Sequence, residues 1–385
     1  LTRDSQHCHS IAYVLDHATH YKINTIYIDG GDTNSYRQCE NSTIVWNFNN
    51  SYGCQKLAGL QKTIYKEPVK MNCSFYFSGM LSPDESRYNI EISYFHFGLC
   101  NISLGTFSNI VFLNDLFENV QIESALSYKL QKDNNMNIEM RNCILQNKPP
   151  IHLHNDDIKH IRIINVFSMH LILVNITAFD ANIQITCDNF ILMFTNCFFY
   201  TQFLTETISI YGPKIIDNYQ LLTRRIKLFT TISKVQLRSG IKSPFFVTIH
   251  MENVVFTVEN CCFYNIGGIS VSNNNMKHQV TLIDFTLSVR NVSFVNTLSH
   301  ARYSNMSHRF LTITFVKADT ILIKGVVFID STSFINGSAD FGAAIYVHTE
   351  KYWSYKNNKL YVIIQKCTFI NNIVKQSGGS VYVSS

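Results

Sequence analysis

Ten-residue segments of one design recur along this chain: "FTVENCCFYN" from Phe256, "LSVRNVSFVN" from Leu287, "VFIDSTSFIN" from Val327 and "VIIQKCTFIN" from Val362. Further copies are "IVFLNDLFEN" from Ile110, "IEMRNCILQN" from Ile138 and "LMFTNCFF" from Leu192, with a weaker one, "LILVNITA", from Leu171. Each copy opens with two apolar residues two positions apart, which is the period of a strand with one face buried. The phase then slips at an Asn or another polar residue. A small residue and a Phe follow, again two apart. Asn is the residue, after Gly, that best tolerates the left-handed conformation that such a bend often needs. The starts fall about 20 to 40 residues apart, a period that signals stacked repeats, with one double gap between about 200 and 255.

A second signature follows the Phe-x-Asn in some copies: "GGISVS" from Gly267, "GAAIYV" from Gly342 and "GGSVYV" from Gly378. A turn of small residues there leads into another alternating strand. Three short strands per repeat, joined by bends and not by helices, predict an all-β fold, a right-handed parallel β-helix or solenoid. Equivalent residues then stack at the inter-strand spacing of about 4.8 Å. Phe117, Phe199, Phe263, Phe294, Phe334 and Phe369 are expected to form an interior aromatic ladder, and Asn114, Asn142, Asn196, Asn260 and Asn291 an amide ladder at the bend. Cys143, Cys197, Cys261 and Cys367 share the small inward position, where a free thiol behaves as a small hydrophobe. A sandwich or propeller does not predict the slip in register with an aromatic position, and a leucine-rich horseshoe needs a Leu consensus that is missing here.

Near the start, Ile11, Val14, Leu15 and Ala18 recur at helical spacing ahead of the strand-like "NTIYIDGG". A short amphipathic helix there is expected to cap the exposed apolar end of the stack; an ordinary surface helix fits the same residues. The organisation expected is an N-terminal cap with the first coils and a Cys-containing region over 1–100, then the repeat region over 101–385, which stops inside a repeat and is expected to run on. A signal peptide or anchor is expected to lie outside this stretch.

Composition narrows the partners. The formal net charge is +5 and basic residues are scattered apart from "RRIK" at 224 to 227, so no footprint for nucleic acid is present. No run approaches the roughly 18 apolar residues of a membrane-spanning helix. Eleven cysteines are present; Cys8, Cys39, Cys54, Cys73 and Cys100 are irregularly spaced, which suits disulfides in a secreted protein. No CxxC or HExxH spacing calls for a metal, and no cofactor is expected. Glycosylation sequons occur at Asn41, Asn49, Asn72, Asn101, Asn175, Asn291, Asn305 and Asn336. Asn41, Asn49, Asn72 and Asn305 sit in loop-like polar contexts and are the better candidates, whereas burial at the bend is expected to hide Asn291. Together these features point to an extracellular or cell-surface setting.

The helix-then-"TIYIDGG" opening resembles the start of pectin-lyase-like right-handed β-helix proteins. The blocks "NCCFYNIGGISV", "TSFINGSADFGAAIYV" and "CTFINNIVKQSGGSVYV" are similar to repeats of polymorphic outer-membrane autotransporter proteins and of predicted animal surface β-helix proteins. In those families the Asn stands further from the Phe than in most copies here; Asn372 supplies the wider spacing in the last. The resemblance implies an architecture and a location and carries no catalytic residue.

Proteins of this kind often act on or bind polysaccharides, which makes acidic clusters the first place to look. "HLHNDD" contains His152, His154, Asp156 and Asp157, with Asp180 and Asp188 further on and Arg224 and Arg225 beyond. They read either as a carboxylate cluster on one face or, more simply, as a polar loop. Tyr346, Tyr352, Trp353, Tyr355 and Tyr361 surround the loop "TEKYWSYKNNKLY" and form a candidate contact patch for carbohydrate or an extracellular protein; covering the flank of a coil is the plainer alternative. The reading that follows is a non-catalytic adhesive or ligand-binding stalk. A polysaccharide lyase or glycoside hydrolase of the pectin-lyase-like type is the alternative, and a purely structural spacer the third.

Overall fold

A computed structural model describes residues 25–29, 37–47, 56–60, 69–78, 90–98, 100–104, 108–124, 135–146, 161–179, 183–201, 208–211, 227–233, 236–243, 247–250, 254–266, 268–272, 282–296, 309–315, 322–349 and 359–384. Among these residues the chain is all-β, with strands from Thr25–Asp29 to Val381–Ser384 and no helix. The expected N-terminal helix over Ile11, Val14, Leu15 and Ala18 lies outside the described residues. Every pairing is parallel, and a strand pairs with one that follows two to four strands later. The strands therefore stack in layers. Val254–Glu259, Cys262–Ile266 and Ile269–Ser272 make one layer. Upon it lie Leu282–Arg290, Ser293–Val295 and Leu311–Phe315, then Leu322–Asp330, Ser333–Ile335 and Ile345–Thr349. Lys359–Gln365, Thr368–Ile370 and Val381–Ser384 follow.

Register turns the sequence motif into interior columns. Phe256, Leu287 and Val327 are paired in succession, as are Val258, Val289 and Ile329, and all six are fully buried. One column passes through Phe97, Phe117, Leu145, Ala178, Phe199, Leu237, Phe263, Phe294, Phe334 and Phe369. It is aromatic in two stretches and not throughout. Phe263, Phe294, Phe334 and Phe369 stack with centroids 4.6, 5.2 and 5.2 Å apart, and Phe97 lies 5.4 Å from Phe117. Phe199 instead meets Phe194 edge-on at 5.7 Å. Each aromatic pair adds about 0.5–1.5 kcal/mol beyond the area it buries. Gly268 stands where the next turn crosses this stack: an added Cβ would collide with the Phe310 carbonyl oxygen and lie 2.7 Å from the Phe294 ring.

The phase slip is a left-handed residue. Asn114, Asn142, Asn175, Asn196, Asn260 and Asn291 all have φ between 51 and 57°. Tyr94, Ser331 and Lys366 take the same conformation at the equivalent place, with φ of 64, 49 and 51°. The reason is the ladder between layers: the N–H of the bend residue donates to a carbonyl of the next layer, as from Asn260 to Arg290 at 3.1 Å and from Tyr94 to Leu113 at 3.1 Å. Two layers escape the sequence pattern. Ile90–Ser93 with Phe95–Gly98 bends at Tyr94, and Lys227–Ser233 with Gln236–Ser243 fills the apparent double gap, placing Leu237 in the Phe column.

Phe294 has aromatic neighbours above and below, whereas Phe369 has one and is half-buried. Phe294→Ala is expected to lower the free energy of unfolding by about 3–5 kcal/mol, and Phe369→Ala by clearly less. Urea unfolding followed by circular dichroism checks the order; equal losses would show that the column does not act as a stack.

Candidate functional site

The corner at the bend is an exposed amide ladder built on the left-handed backbone. Asn142 Nδ2 donates to Asn114 Oδ1 at 3.2 Å, Asn175 to Asn142 at 2.9 Å, and Asn291 to Asn260 at 2.7 Å. Asn175, Asn196, Asn260 and Asn291 are exposed, so Asn291 is not hidden by its position. Asn142, Asn175 and Asn291 each hold the amide below, and the backbone N–H groups of Asn114, Asn142, Asn175, Asn260 and Asn291 are taken by the inter-layer ladder.

Just inside the corner, the residue after the bend points inward, and its chemistry is more specific than small size. The Cys143 sulfur lies 3.3 Å from the Arg141 carbonyl, Cys197 3.3 Å from Thr195, Cys261 3.1 Å from Glu259 and Cys367 3.1 Å from Gln365. Thr332 takes the same place with its hydroxyl donating to the Asp330 carbonyl at 2.9 Å. A weak side-chain donor therefore meets the carbonyl two residues back. Neighbouring layers put Ile176 between Cys143 and Cys197, and Val292 after Cys261, so cysteines of this column are separated by other side chains. Cys100, Cys143, Cys197, Cys261, Cys262 and Cys367 are free thiols. This corrects the disulfide expectation at Cys100, a buried free thiol; the side chains of Cys8, Cys39, Cys54 and Cys73 lie outside the described residues. Burial pushes the Cys100 thiol up to about 12 and Cys197 up to about 11, and raises Cys143 further.

Asp115 occupies the same inward position and is 2% exposed. Its Oδ1 accepts the Phe95 N–H at 2.8 Å, while Oδ2 has no partner. Desolvation holds this carboxyl well above the usual carboxylate range; backbone bonding at Phe95 and Leu113 opposes that shift and the Glu91 carboxylate adds to it. Glu91 is itself paired with Lys56 at 2.6 Å on the outward side. His96 and Glu118 pair at 3.1 Å on an adjoining face.

The outward faces near the last layers are aromatic and apolar. Val326 pairs with Tyr361 and Phe328 with Ile363 across neighbouring strands. Tyr361 is 54%, Ile363 44% and Val326 36% exposed. On another face Tyr346 and Tyr382 stack with centroids 5.4 Å apart, and the Arg309 guanidinium lies over the Tyr346 ring at 4.0 Å. Of the contact patch expected from sequence, Tyr346 and Tyr361 are thus on different faces, while Tyr352, Trp353 and Tyr355 lie outside the described residues. Asp156, Asp157 and Asp180 also lie outside them, and Asp188 falls in Ile183–Thr195 with its side chain undescribed. The same holds for Asn49 and Asn305, and for the side chains of Asn41 in Arg37–Asn47 and Asn72 in Val69–Ser78. Among the described residues no group of three or more His, Cys, Asp or Glu side chains could hold a metal ion, and no helix is long and apolar enough to cross a membrane. No family model, curated protein or solved structure matches the chain.

Two measurements follow from the inward column. The unfolded chain loses the Asp115 proton near the ordinary carboxylate value and the folded chain keeps it to higher pH. Stability from this site is therefore fully present below about pH 4 and is lost as pH rises through the folded-state value, by at most about 1.4 kcal/mol per pH unit. Asp115→Asn is expected to gain on the parent chain between pH 5 and pH 8 in urea midpoint; identical pH profiles would exclude Asp115 as the source. Because the thiolate is the reactive form, the native chain at pH 8 is expected to alkylate at Cys100 on the order of a thousandfold more slowly than the unfolded chain. Peptide mass spectrometry after a timed iodoacetamide pulse reads that ratio.

Proposed function

We propose that this chain is a right-handed parallel β-helix of the pectin-lyase-like kind that serves as a secreted or cell-surface stalk and binds a partner protein without catalysis. The parallel pairing of each layer with the next, through short bends, supports the architecture. The hand follows from the rule that parallel crossover connections are right-handed in about 98% of cases.

The observation that carries the binding reading is the group formed by Val326, Tyr361 and Ile363. These side chains stand exposed on neighbouring strands of a sheet whose backbone is held by the layer ladder. A contiguous apolar patch on a rigid scaffold is the usual mark of a protein contact. Branched aliphatic side chains offer area without a π face, which suits a protein surface better than a sugar ring. Phe328, half-buried beside Ile363 and covered by Arg290 at 5.2 Å, supplies a fixed floor.

The test is adhesion of cells to a surface coated with the full chain. A coat carrying Tyr361→Asp and Ile363→Asp is expected to hold at least about tenfold fewer cells, as for the loss of central apolar anchors. Trypsin-stripped cells should lose adhesion as well. Equal adhesion to both coats overturns the proposal, and so does the release of new reducing ends or unsaturated uronides from a panel of acidic and neutral polysaccharides.

A further inference from the structure

We propose that Asn175 and Asn291 carry N-linked glycans on one corner of the fold and that Asn336 does not. All three stand in Asn-x-Ser/Thr sequons: Asn175-Ile176-Thr177, Asn291-Val292-Ser293 and Asn336-Gly337-Ser338. Sequence treats them alike. Their surroundings in the folded chain differ.

Asn175 and Asn291 occupy the left-handed bend and are exposed. Each is also the last member of its amide run among the described residues. Asn175 donates to Asn142, which donates to Asn114, and Asn291 donates to Asn260. The bend residue above Asn291 is Ser331, whose hydroxyl donates instead to Asp330 Oδ1 at 3.1 Å. One Nδ2 hydrogen is thus held by the layer below, and the second is left for a sugar on the solvent side. Asn336 is the opposite case. It is 9% exposed, its Nδ2 donates inward to the Asn296 carbonyl at 2.6 Å, and its Oδ1 is enclosed without a partner. A sugar on that nitrogen would have to displace the interior.

The donor is a lipid diphosphate-linked oligosaccharide. The amide nitrogen bonds to the anomeric carbon, the bond from that carbon to the diphosphate oxygen breaks, one Nδ2 hydrogen leaves as a proton, and the lipid diphosphate departs with no change of oxidation state. The transfer precedes folding, so the folded chain selects which modified sites survive. Four successive pairings separate the strands that follow Asn175 and Asn291, a distance of about 19 Å at 4.8 Å per layer. Two glycans at that spacing would shield this corner from lateral contact and leave partner binding to the sheet faces.

The inference rests on the secretory location proposed above in one respect: the chain must meet the transferase. The experiment separates the two. The full chain is expressed in eukaryotic cells behind an added secretion signal, and the secreted fraction is deglycosylated by peptide-N-glycosidase in oxygen-18 water, which converts each formerly glycosylated Asn to labelled Asp. Peptide mass spectrometry is expected to find the label at Asn175 and Asn291 and not at Asn336. Label at Asn336 that exceeds the spontaneous Asn336-Gly337 deamidation seen in oxygen-18 water without the glycosidase overturns the inference, as does an unlabelled Asn175 or Asn291. Asn175→Gln and Asn291→Gln, which keep the amide, should each remove one glycan's increment of gel mobility while secretion continues; unchanged mobility counts against the assignment. If the signal-fused chain shows the expected pattern and the chain from its natural source bears no glycan, the site assignment stands and the location fails.

Discussion

The ladder of hydrogen bonds between parallel layers is the constraint from which the rest of this molecule follows. To keep both flanking strands in register with the layers above and below, the N–H of the bend residue must reach a carbonyl of the next layer, and the left-handed conformation aims it there. Asn adopts that conformation most readily among residues with side chains. Tyr94, Ser331 and Lys366 adopt it too, at a local cost that the ladder on either side offsets. The same bend turns the strand phase by one residue, which lets the strand before it and the strand after it both send side chains inward.

What fills the interior is then a matter of columns and not of individual contacts. Apolar residues stack on apolar residues because the register repeats, and the bend leaves one carbonyl directed at the inward position that follows it. A thiol or a hydroxyl there makes a weak bond without loss of packing, as with Cys143, Cys197, Cys261 and Thr332. Asp115 meets the Phe95 N–H in the same place, and the enclosed Oδ2 makes that solution expensive in desolvation. Cysteines in this column are kept apart by Ile176 and Val292, so the fold does not depend on oxidation within it.

A stack of this kind has much surface to show. Its corner is polar, with amides bonded to amides, while the sheet face near the last layers bears Tyr361 and Ile363 in the open. Corner and face therefore divide the surface chemically.

The repeat signature alone was enough to specify an all-β chain of short strands with an aromatic column and an Asn bend, because strand period and the left-handed preference of Asn are local properties. Where a layer departs from Asn and Phe, as at Tyr94 and Leu237, the local signal vanishes and only pairing with its neighbours reveals it. Exposure at the bend was likewise out of reach: Asn291 and Asn336 are both sequon residues in left-handed backbone, yet one faces solvent and the other the interior. The free state of Cys100 and the enclosed carboxyl of Asp115 belong to the same class. Sequence determined the period, the bend and the identity of the stacked residues; the tertiary structure decided which amide, thiol or carboxyl met water, since that depends on what the layers above and below place beside it.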